Sequence, residues 1–335
     1  MYMKKAKYIL KRLKSFRWQN WFKIVGVIAK KTKKPRIVIF IDTVYCMLKY
    51  GAGYMDYFEF EFYLLNKEER KTYLTSSINN QIIAKYNDKS DMAVFHDKLL
   101  FNERFKKYLK RDYLDLSKSS LEEFNKFIHN KTKIVAKVVD DCGGKGVGVY
   151  ALDDYSDTET LYNTLKENKQ YLLEDYIEQN TEMNKLYSGS INSLRIITFL
   201  SDSGEVIIMN IVLRIGNGWV VDNFSSGGMY TFVSDTGNVL VPAIDEKGHI
   251  YKKHPISNTL IEGFIIPNFN EVISYVKSLA KVVPSVRYVG WDIALTKNGV
   301  DVIEGNEYSG VFQIKPSLSK DHMGLLPKYK KYMDL

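Results

Sequence analysis

Apolar and polar residues alternate along the stretch from Trp291 to Asn306, WDIALTKNGVDVIEGN, and this period of two predicts a β-hairpin near the C-terminus. The turn signal is Lys297-Asn298-Gly299. A two-residue loop would pair Asp292 with Gly305, whereas a three-residue loop with its glycine in the left-handed region sets Asp292 opposite Glu304. We expect the three-residue loop.

This register gives the hairpin a cluster of oxygen ligands. Glu304 and Asn306 are two residues apart and share a strand face, so two carboxylates and one amide oxygen converge when Asp292 lies opposite. Mg²⁺ prefers such hard oxygen ligands and completes its coordination with water and substrate phosphates. Taken alone, the stretch favours a solvated hairpin at a sheet edge. The upstream residues reverse that preference.

Helical spacing dominates the first part of the chain. Ile37, Ile41, Val44 and Leu48 fall on one helical face, and Gly51-Ala52-Gly53 ends that helix. Further helices are predicted over about 97–108, 157–168 and 270–283, and strands over 134–140, 147–152, 171–177, 194–200 and 206–214. With 335 residues and 45% hydrophobic content, the chain can bury a sizeable core in two or three subdomains.

A buried strand with one discordant residue leads into a glycine-rich segment. Lys137 lies within IVAKVVD, and because lysine is rarely buried without a partner, we expect its ammonium group to meet an anion; Asp140 and Asp141 are the local alternatives. Four of the six residues from Gly143 to Gly148 are glycine, so backbone N–H groups can surround phosphate oxygens. Because a strand follows, where a Walker A loop or a dinucleotide fingerprint needs a helix, we predict a flap over a nucleotide.

Other polar residues are candidates for contacts with a nucleotide or a substrate. Glu174 and the backbone amide of Ile177 suit an adenine edge, and Glu178 or Glu182 suits ribose hydroxyls. Arg195 begins an apolar strand, so we expect it to pair with an anion, either a phosphate or an ordinary carboxylate. A polar glycine loop able to line a substrate pocket contains Asp222, Asn223, Ser225, Ser226, Gly227 and Gly228.

Cysteine and histidine usage excludes several kinds of site. Cys46 and Cys142 are too few for a disulfide framework, which indicates a reducing cytosol. The five histidines form no HExxH motif and have no CxxC partner, so no zinc site is predicted. No catalytic Ser-His or Cys-His set is visible.

Basic charge is concentrated in residues 1–36, which hold thirteen Lys and Arg and no Asp or Glu; since the chain carries +9, removing these thirteen leaves −4 for the rest. Two interpretations of this arm stay open: a basic amphipathic helix on an anionic membrane leaflet, or a helix packed on the body with its charges in water. The apolar run 24–29 is too short for a signal peptide or a membrane span. Because the remainder is slightly acidic, nucleic acid is not expected. Apolar residues recur in the arm at helical spacing, at Ile9, Leu13, Phe16, Trp18, Trp21, Phe22 and Val25.

Taken together, and in this order, these motifs resemble the ATP-grasp superfamily, in particular the sugar-transfer associated ATP-grasp family of the teichuronopeptide-biosynthesis type. The resemblance covers about residues 37–316 and includes YGAGYMDYFEFEFY at 50–63, HDKLLFNERF at 96–105, INSLRIITF at 191–199 and DNFSSGG at 222–228. It implies an α+β protein with the ATP-grasp fold, in which two α+β subdomains grip ATP between them, and a helical N-terminal region. The implied division is a basic arm (1–36), a helical region (37–95), a small subdomain with the flap (96–175), a large subdomain with the metal site (176–316) and a tail (317–335).

The resemblance also implies roles for residues. Lys98 and Lys137 would hold the ATP phosphates, and Arg195 would contact the γ-phosphate and the developing acyl phosphate, which makes Arg195 and Lys137 the catalytic pair. Asp292, Glu304 and Asn306 would hold Mg²⁺, and the loop 222–228 would bind the substrate. The remaining ATP contacts would come from Gly143, Gly144, Lys145, Gly146, Val147, Glu174, Asp175, Ile177 and Glu182, with Glu178 as the alternative for ribose.

The implied function is an ATP-dependent carboxylate–amine ligase that forms a carbon–nitrogen bond through an acyl phosphate, in capsule or teichuronopeptide-like polysaccharide biosynthesis. It would use ATP and Mg²⁺ with a carboxylate-bearing sugar or amino acid and an amine acceptor. The expected location is the cytoplasm, with residues 1–30 on the inner face of the cell membrane. Two alternatives stay open: a kinase for a sugar or small molecule on the same scaffold, and a protein that binds ATP without turnover.

Overall fold

A computed structural model describes residues 18–139, 146–218 and 227–335. Its helices, in chain order, are α1 Trp18–Thr32, α2 Arg36–Tyr50, α3 Tyr54–Glu59, α4 Lys67–Arg70, α5 Ser76–Tyr86, α6 Ala93–His96, α7 Lys98–Phe105, α8 Leu121–Ile128, α9 Thr158–Glu167, α10 Thr181–Asn184, α11 Phe269–Leu279 and α12 Leu326–Tyr332. Its strands are β1 Tyr113–Asp115, β2 Lys133–Lys137, β3 Val147–Ala151, β4 Leu172–Asp175, β5 Leu194–Leu200, β6 Val206–Ile215, β7 Met229–Phe232, β8 Ala243–Asp245, β9 Ile250–Tyr251, β10 Tyr288–Thr296 and β11 Gly299–Asn306.

The chain divides into two compact units. Of the described residues, the first unit holds 18–81 and 313–333, and the second holds 82–139, 146–218, 227–312 and 334–335. The C-terminal residues that the sequence predicts as a tail therefore contribute helix α12 to the first unit, where its Leu326 and Tyr329 are buried. The subdomain limits proposed from the sequence stay predictions.

In the first unit, helix α1 is the described part of the basic arm. Trp21, Val25 and Ile28 recur at helical spacing and are buried, and the Trp21 ring stacks on Phe40 of α2 with 4.5 Å between ring centroids. Phe22, on the neighbouring position, is 58% exposed. This half of the arm is therefore a helix packed on its own unit, whereas residues 1–17 lie outside the described residues.

Helix α2 ends as predicted, and its buried face is not the one that carries Ile37, Ile41 and Leu48. Gly51 caps it with φ +66°, a conformation that glycine adopts without steric cost, and its N–H donates to the Cys46 carbonyl. Ile39, Thr43 and Cys46 form the buried face. The predicted stripe therefore faces solvent instead, with Ile37 62%, Ile41 60% and Leu48 80% exposed.

The second unit contains two antiparallel sheets. The smaller sheet has the order β1-β4-β2-β3 and packs one face on helices α8 and α9. Ile134 and Ala136 of β2 and Leu173 of β4 belong to that core. Because side chains alternate along a strand, Lys137 and Glu174 lie on the opposite face of the sheet.

The larger sheet has the order β11-β10-β5-β6-β7-β8-β9. Trp291 of β10 is buried against Phe95 and Phe105, with ring centroids 5.9 and 5.5 Å away. The helix predicted over 270–283 is α11, which buries Val272, Val276 and Leu279. None of the helices within the described ranges is both long enough and apolar enough to cross a membrane.

The predicted pairing of Asp292 with Glu304 is present, but the three-residue loop is wrong. Thr296 pairs with Gly299, so the loop holds only two residues, and Gly299 has φ +108°. Between the loop and the Asp292–Glu304 pair, a β-bulge adds one residue to β11. Ile293 therefore pairs with Val302, whereas Asp292 pairs with Glu304.

This bulge reverses the sheet face to which the side chains of the second half of β11 point. Directly opposed residues share a face, and the neighbours Asp292 and Ile293 point to opposite faces. Val302 therefore shares the face of Ile293, and both are buried, whereas Glu304 shares the face of Asp292. Without the bulge, Val302 and Glu304 would point the same way.

We predict that Trp21→Ala lowers the free energy of unfolding of the first unit by about 3–5 kcal/mol, because it removes a buried aromatic side chain. Phe22→Ala is the matched control and should cost less than about 1 kcal/mol, since Phe22 is 58% exposed. Urea titration of both variants measures the difference. Equal losses would contradict the packing of α1.

Candidate active site

Acidic and amide side chains meet on one face of the β10–β11 hairpin. Asp292 and Glu304 are directly opposed, and the Asn306 Nδ2 donates to Glu304 Oε1 at 3.3 Å. Gly305 lies between the last two and faces the other way, where a Cβ would come within 2.8 Å of Phe95 and 3.0 Å of Phe101. Only glycine fits there without displacing these rings.

Two arginines continue this row of charges across the sheet. Arg195 of β5 lies opposite Asp292, and its Nη2 donates to Asp292 Oδ2 at 2.8 Å while its Nε donates to Oδ1. Arg214 of β6 donates from Nη1 to the same Oδ2 at 3.0 Å. The anion expected beside Arg195 is therefore Asp292, itself a predicted metal ligand.

The two carboxyl groups respond differently to this environment. Burial raises the pKa of Asp292, but the charges of Arg195 and Arg214 outweigh it and leave that pKa lowered. Burial and the neighbouring Asp292 charge raise the pKa of Glu304. A proton or a cation on Glu304 would relieve the repulsion between the two groups.

This donor set fits Mg²⁺. Two carboxylates and one amide oxygen are hard ligands, and a divalent cation would offset the repulsion that raises the pKa of Glu304. Over the described ranges, no group of three or more His, Cys, Asp and Glu side chains is arranged to hold a metal ion. A cation at this hairpin would therefore need further ligands from water or substrate phosphates.

On the smaller sheet, Glu174 is the centre of a buried polar network. It forms an ion pair with Lys137, and its Oε1 accepts from Asn102 Nδ2 at 2.7 Å and from Arg111 Nη2 at 2.9 Å. Burial alone would raise its pKa, but the charges of Arg111 and Lys137 hold that pKa well below the usual range. The anion expected beside Lys137 is thus a residue from a neighbouring strand.

Arg111 joins this network to the bulge in β11. Its Nη1 donates to Asp301 Oδ2 at 2.8 Å and to the Val302 carbonyl at 2.7 Å, and its Nη2 donates to the Ile303 carbonyl at 3.3 Å. A bulge disrupts the ladder and leaves backbone groups to be satisfied elsewhere. One guanidinium therefore binds both the bulge and Glu174.

A cavity of about 310 Å³ brings several predicted residues together. Lys98 and Lys137 line it together with Glu304 and Asn306. The Lys98 Nζ also donates to the carbonyls of Val138 and Val139 at 3.1 and 3.2 Å, where β2 runs out toward the glycine segment. The remaining lining residues are Phe95, His96, Phe101, Asn102, Leu172, Glu174, Ile303, Gly305, Glu307 and Tyr308.

Other predicted residues lie elsewhere. Asp175, Ile177 and Glu178 line a separate cavity of about 490 Å³, so the side chains of Glu174 and Ile177 do not share one pocket. Glu182 lies on the surface helix α10 and pairs with Lys185.

The described ends of both glycine segments have regular positions. Gly146 has φ +69°, Val147 pairs with Lys137, Gly227 has φ +90°, and Gly228 immediately precedes β7. Several predicted residues lie outside the described ranges, namely Gly143, Gly144, Lys145, Asp222, Asn223, Ser225 and Ser226.

Arg111, Asn102 and Arg214 were not predicted from the sequence. Arg214 carries the signal that singled out Arg195, namely an arginine inside an apolar strand. Arg111 lies in a polar segment and Asn102 in a helix that mixes apolar and charged residues, so the local pattern distinguishes neither from an ordinary surface residue. Their partners lie far away along the chain, up to 192 residues for Arg111.

Comparison with known proteins decides the family. The sequence pattern described as sugar-transfer associated ATP-grasp matches residues 77–323. The chain belongs to this ATP-grasp family. The family assignment agrees with the two antiparallel sheets and with the order of the motifs.

Solved structures with the ATP-grasp fold are similar at low identity. N5-carboxyaminoimidazole ribonucleotide synthetase from Thermotoga maritima is 15% identical, with a TM-score of 0.38 over 64% of this chain and 42% of its own. D-alanyl-alanine synthetase A from Vibrio cholerae is 12% identical, with a TM-score of 0.40 over 64% and 56%. D-alanine–D-alanine ligase from Bacillus anthracis is 11% identical, with a TM-score of 0.39 over 69% and 64%.

This ATP-grasp chain thus matches less than two thirds of the length of each of these three proteins. No curated protein sequence matches it.

We predict that Arg111→Met destabilises the second unit by about 3–5 kcal/mol, because it leaves Glu174 and Asp301 buried without their shared cation. Lys185→Met is the control: its ion pair with Glu182 is more than half exposed, at 60% and 52%, and should contribute less than about 1 kcal/mol. Urea or thermal unfolding compares the two. A loss at Arg111 no larger than at Lys185 would contradict the role of Arg111 in this network.

Proposed function

We propose that this ATP-grasp chain is an ATP-dependent carboxylate–amine ligase that works through an acyl phosphate. The observation that carries the proposal is the cavity of about 310 Å³, which Lys98 and Lys137 line together with Glu304 and Asn306. The two ammonium groups suit phosphates, and the oxygen ligands in the same cavity suit the metal ion that accompanies them.

In this proposal Lys98 and Lys137 bind the phosphates of ATP, and the glycine segment from Gly143 to Val147 closes over them. Bound Mg²⁺ would supply charge neutralisation on the phosphate oxygens, and Asp292, Glu304 and Asn306 are the residues that would hold it. Arg195 and Arg214 fix the position of Asp292 through hydrogen bonds to both of its carboxylate oxygens.

The chemistry has two steps and needs no side-chain nucleophile. A substrate carboxylate oxygen attacks the γ-phosphorus, the bond to the β,γ-bridging oxygen breaks, and ADP leaves. An amine then attacks the acyl carbon, phosphate leaves, and the amine loses a proton. We assign Arg195 to the negative charge of the acyl phosphate, so that positioning and charge stabilisation supply the catalysis.

The remaining assignments concern the nucleoside and the substrate. Glu174, Asp175 and Ile177 are proposed to seat adenine through the connection after β4, and Glu178 or Glu182 to bind ribose. Glu178 lines the cavity of about 490 Å³ together with Ile177, separate from the cavity that Lys98 and Lys137 line, so Glu178 and Glu182 both stay proposed for ribose. The loop 222–228 is proposed for the carboxylate substrate.

We assign the substrates to cell-surface polysaccharide assembly, with a carboxylate-bearing sugar or amino acid as donor and an amine as acceptor. The support is the family, which is associated with sugar transfer. The proposed location is the cytoplasm, with the basic arm against the inner face of the cell membrane.

The experiment that tests this proposal determines where the γ-phosphate of ATP is found after the reaction. The purified chain is incubated with ATP, Mg²⁺ and a panel of carboxylate-bearing sugars and amines, and the products are separated by mass spectrometry. A ligase releases ADP and free phosphate in equal amounts with a condensed product. Phosphate retained on a sugar would establish kinase chemistry instead, and ATP binding without any product from the panel would count against an enzyme.

We predict that Glu304→Gln lowers metal-dependent turnover by at least about a hundredfold, because it removes one negative ligand charge beside Asp292. Glu246→Gln, an exposed change of the same type, should leave turnover unchanged. Steady-state rates at a series of Mg²⁺ concentrations measure the effect. Full activity of Glu304→Gln would remove the proposed metal site.

A further inference from the structure

The first unit exposes an apolar stripe along helix α2. Ile37, Ile41 and Leu48 follow each other at helical spacing and are 62%, 60% and 80% exposed, and Val38 and Tyr45 flank them at 47% and 36%. Within the described residues, the opposite face of the same helix is the buried one. A helix that is apolar on both faces needs a second apolar surface to cover it.

The stripe runs along most of the length of helix α2. It covers the twelve residues from Ile37 to Leu48, and the eleven steps between them at 1.5 Å each make a length of about 16 Å.

The charged residues around the stripe favour an anionic surface as its binding partner. Lys33, Lys34 and Arg36 precede it, Lys49 follows it, and all four are exposed. The sole acidic residue of α2, Asp42, is neutralised by Arg70, whose Nη1 and Nη2 donate to its two oxygens at 2.7 Å each. The stripe is therefore bounded at both ends by cations and has no free anion on its helix.

A second copy of the chain is a poor occupant. Lys33, Lys34, Arg36 and Lys49 bound each stripe, so pairing two stripes would bring two sets of exposed cations together. An anionic lipid surface offers the opposite charge and an apolar interior at once.

We propose that helix α2 is a membrane-docking surface, which lies in the interface of an anionic leaflet with Ile37, Ile41 and Leu48 among the acyl chains. Lys33, Lys34, Arg36 and Lys49 then lie at the level of the headgroups. This inference rests on the proposed membrane location and assigns the apolar contact with the lipid to the folded first unit instead of the basic arm. It does not depend on the ligase chemistry.

The test uses the full chain and sedimentation with vesicles of equal parts phosphatidylcholine and phosphatidylglycerol. The triple variant Ile37→Gln, Ile41→Gln, Leu48→Gln is expected to partition at least about tenfold more weakly than the unchanged chain. The matched control is Ile256→Gln, Leu260→Gln, Ile265→Gln, which changes the same residue types at 61%, 56% and 66% exposure in the second unit and should bind as before.

Circular dichroism of both triple variants checks that each remains folded, and ATP turnover, measured without vesicles, reports separately on the proposed ligase. Weaker binding to phosphatidylcholine alone, or in high salt, supports the contribution of the cations. Equal vesicle binding by the two triple variants would overturn the proposal.

Two other occupants give distinct results. A chain that is dimeric by light scattering, becomes monomeric in the α2 variant and ignores vesicles would assign the stripe to a second copy. If deleting residues 1–17 were to strengthen vesicle binding through Ile37, Ile41 and Leu48, those residues would be the cover of the stripe in the intact chain. Either result contradicts membrane docking by the full chain.

Discussion

The guanidinium of Arg111 is the interaction on which the candidate site depends. It binds Glu174 on the smaller sheet and the carbonyls at the bulge of β11 on the larger one. Because the bulge reverses the facing of β11, it determines that Glu304 emerges beside Asp292 and not beside Ile293. One buried cation thus stabilises the strand irregularity that brings the carboxylates together and the anion that neutralises Lys137.

Charge in this site is arranged so that each buried ion has a partner of opposite sign. Arg195 and Arg214 compensate Asp292, and Lys137 and Arg111 compensate Glu174. Glu304 is the exception, because burial and the neighbouring Asp292 charge raise its pKa more than the charges of Arg195 and Lys137 lower it. A buried acid that its own protein leaves under-compensated is a suitable point for an external cation, which is why the metal assignment centres on this residue.

The local pattern of apolar and polar residues predicted many of the helices and strands. It did not predict contacts between residues that lie far apart along the chain. The pairing of Asp292 with Glu304 was predicted correctly, but for the wrong reason, because alternation along the strand does not reveal a bulge. Lys137 and Arg195 were recognisable because a charge within an apolar strand demands a partner, although the sequence could not say which. Arg111 could not be recognised, since its neighbours are polar and its partners are far along the chain.

Gly305 couples the candidate metal ligands to the hydrophobic core on the far side of their strand. Its missing Cβ lets Phe95 and Phe101 press directly on the backbone between Glu304 and Asn306. The backbone that carries these two candidate ligands therefore cannot move toward the core, because the rings of Phe95 and Phe101 already fill the space behind it. Evolution of a different ion preference at this hairpin would have to proceed through the side chains of the ligands themselves, because the residue that spaces them has no room to vary.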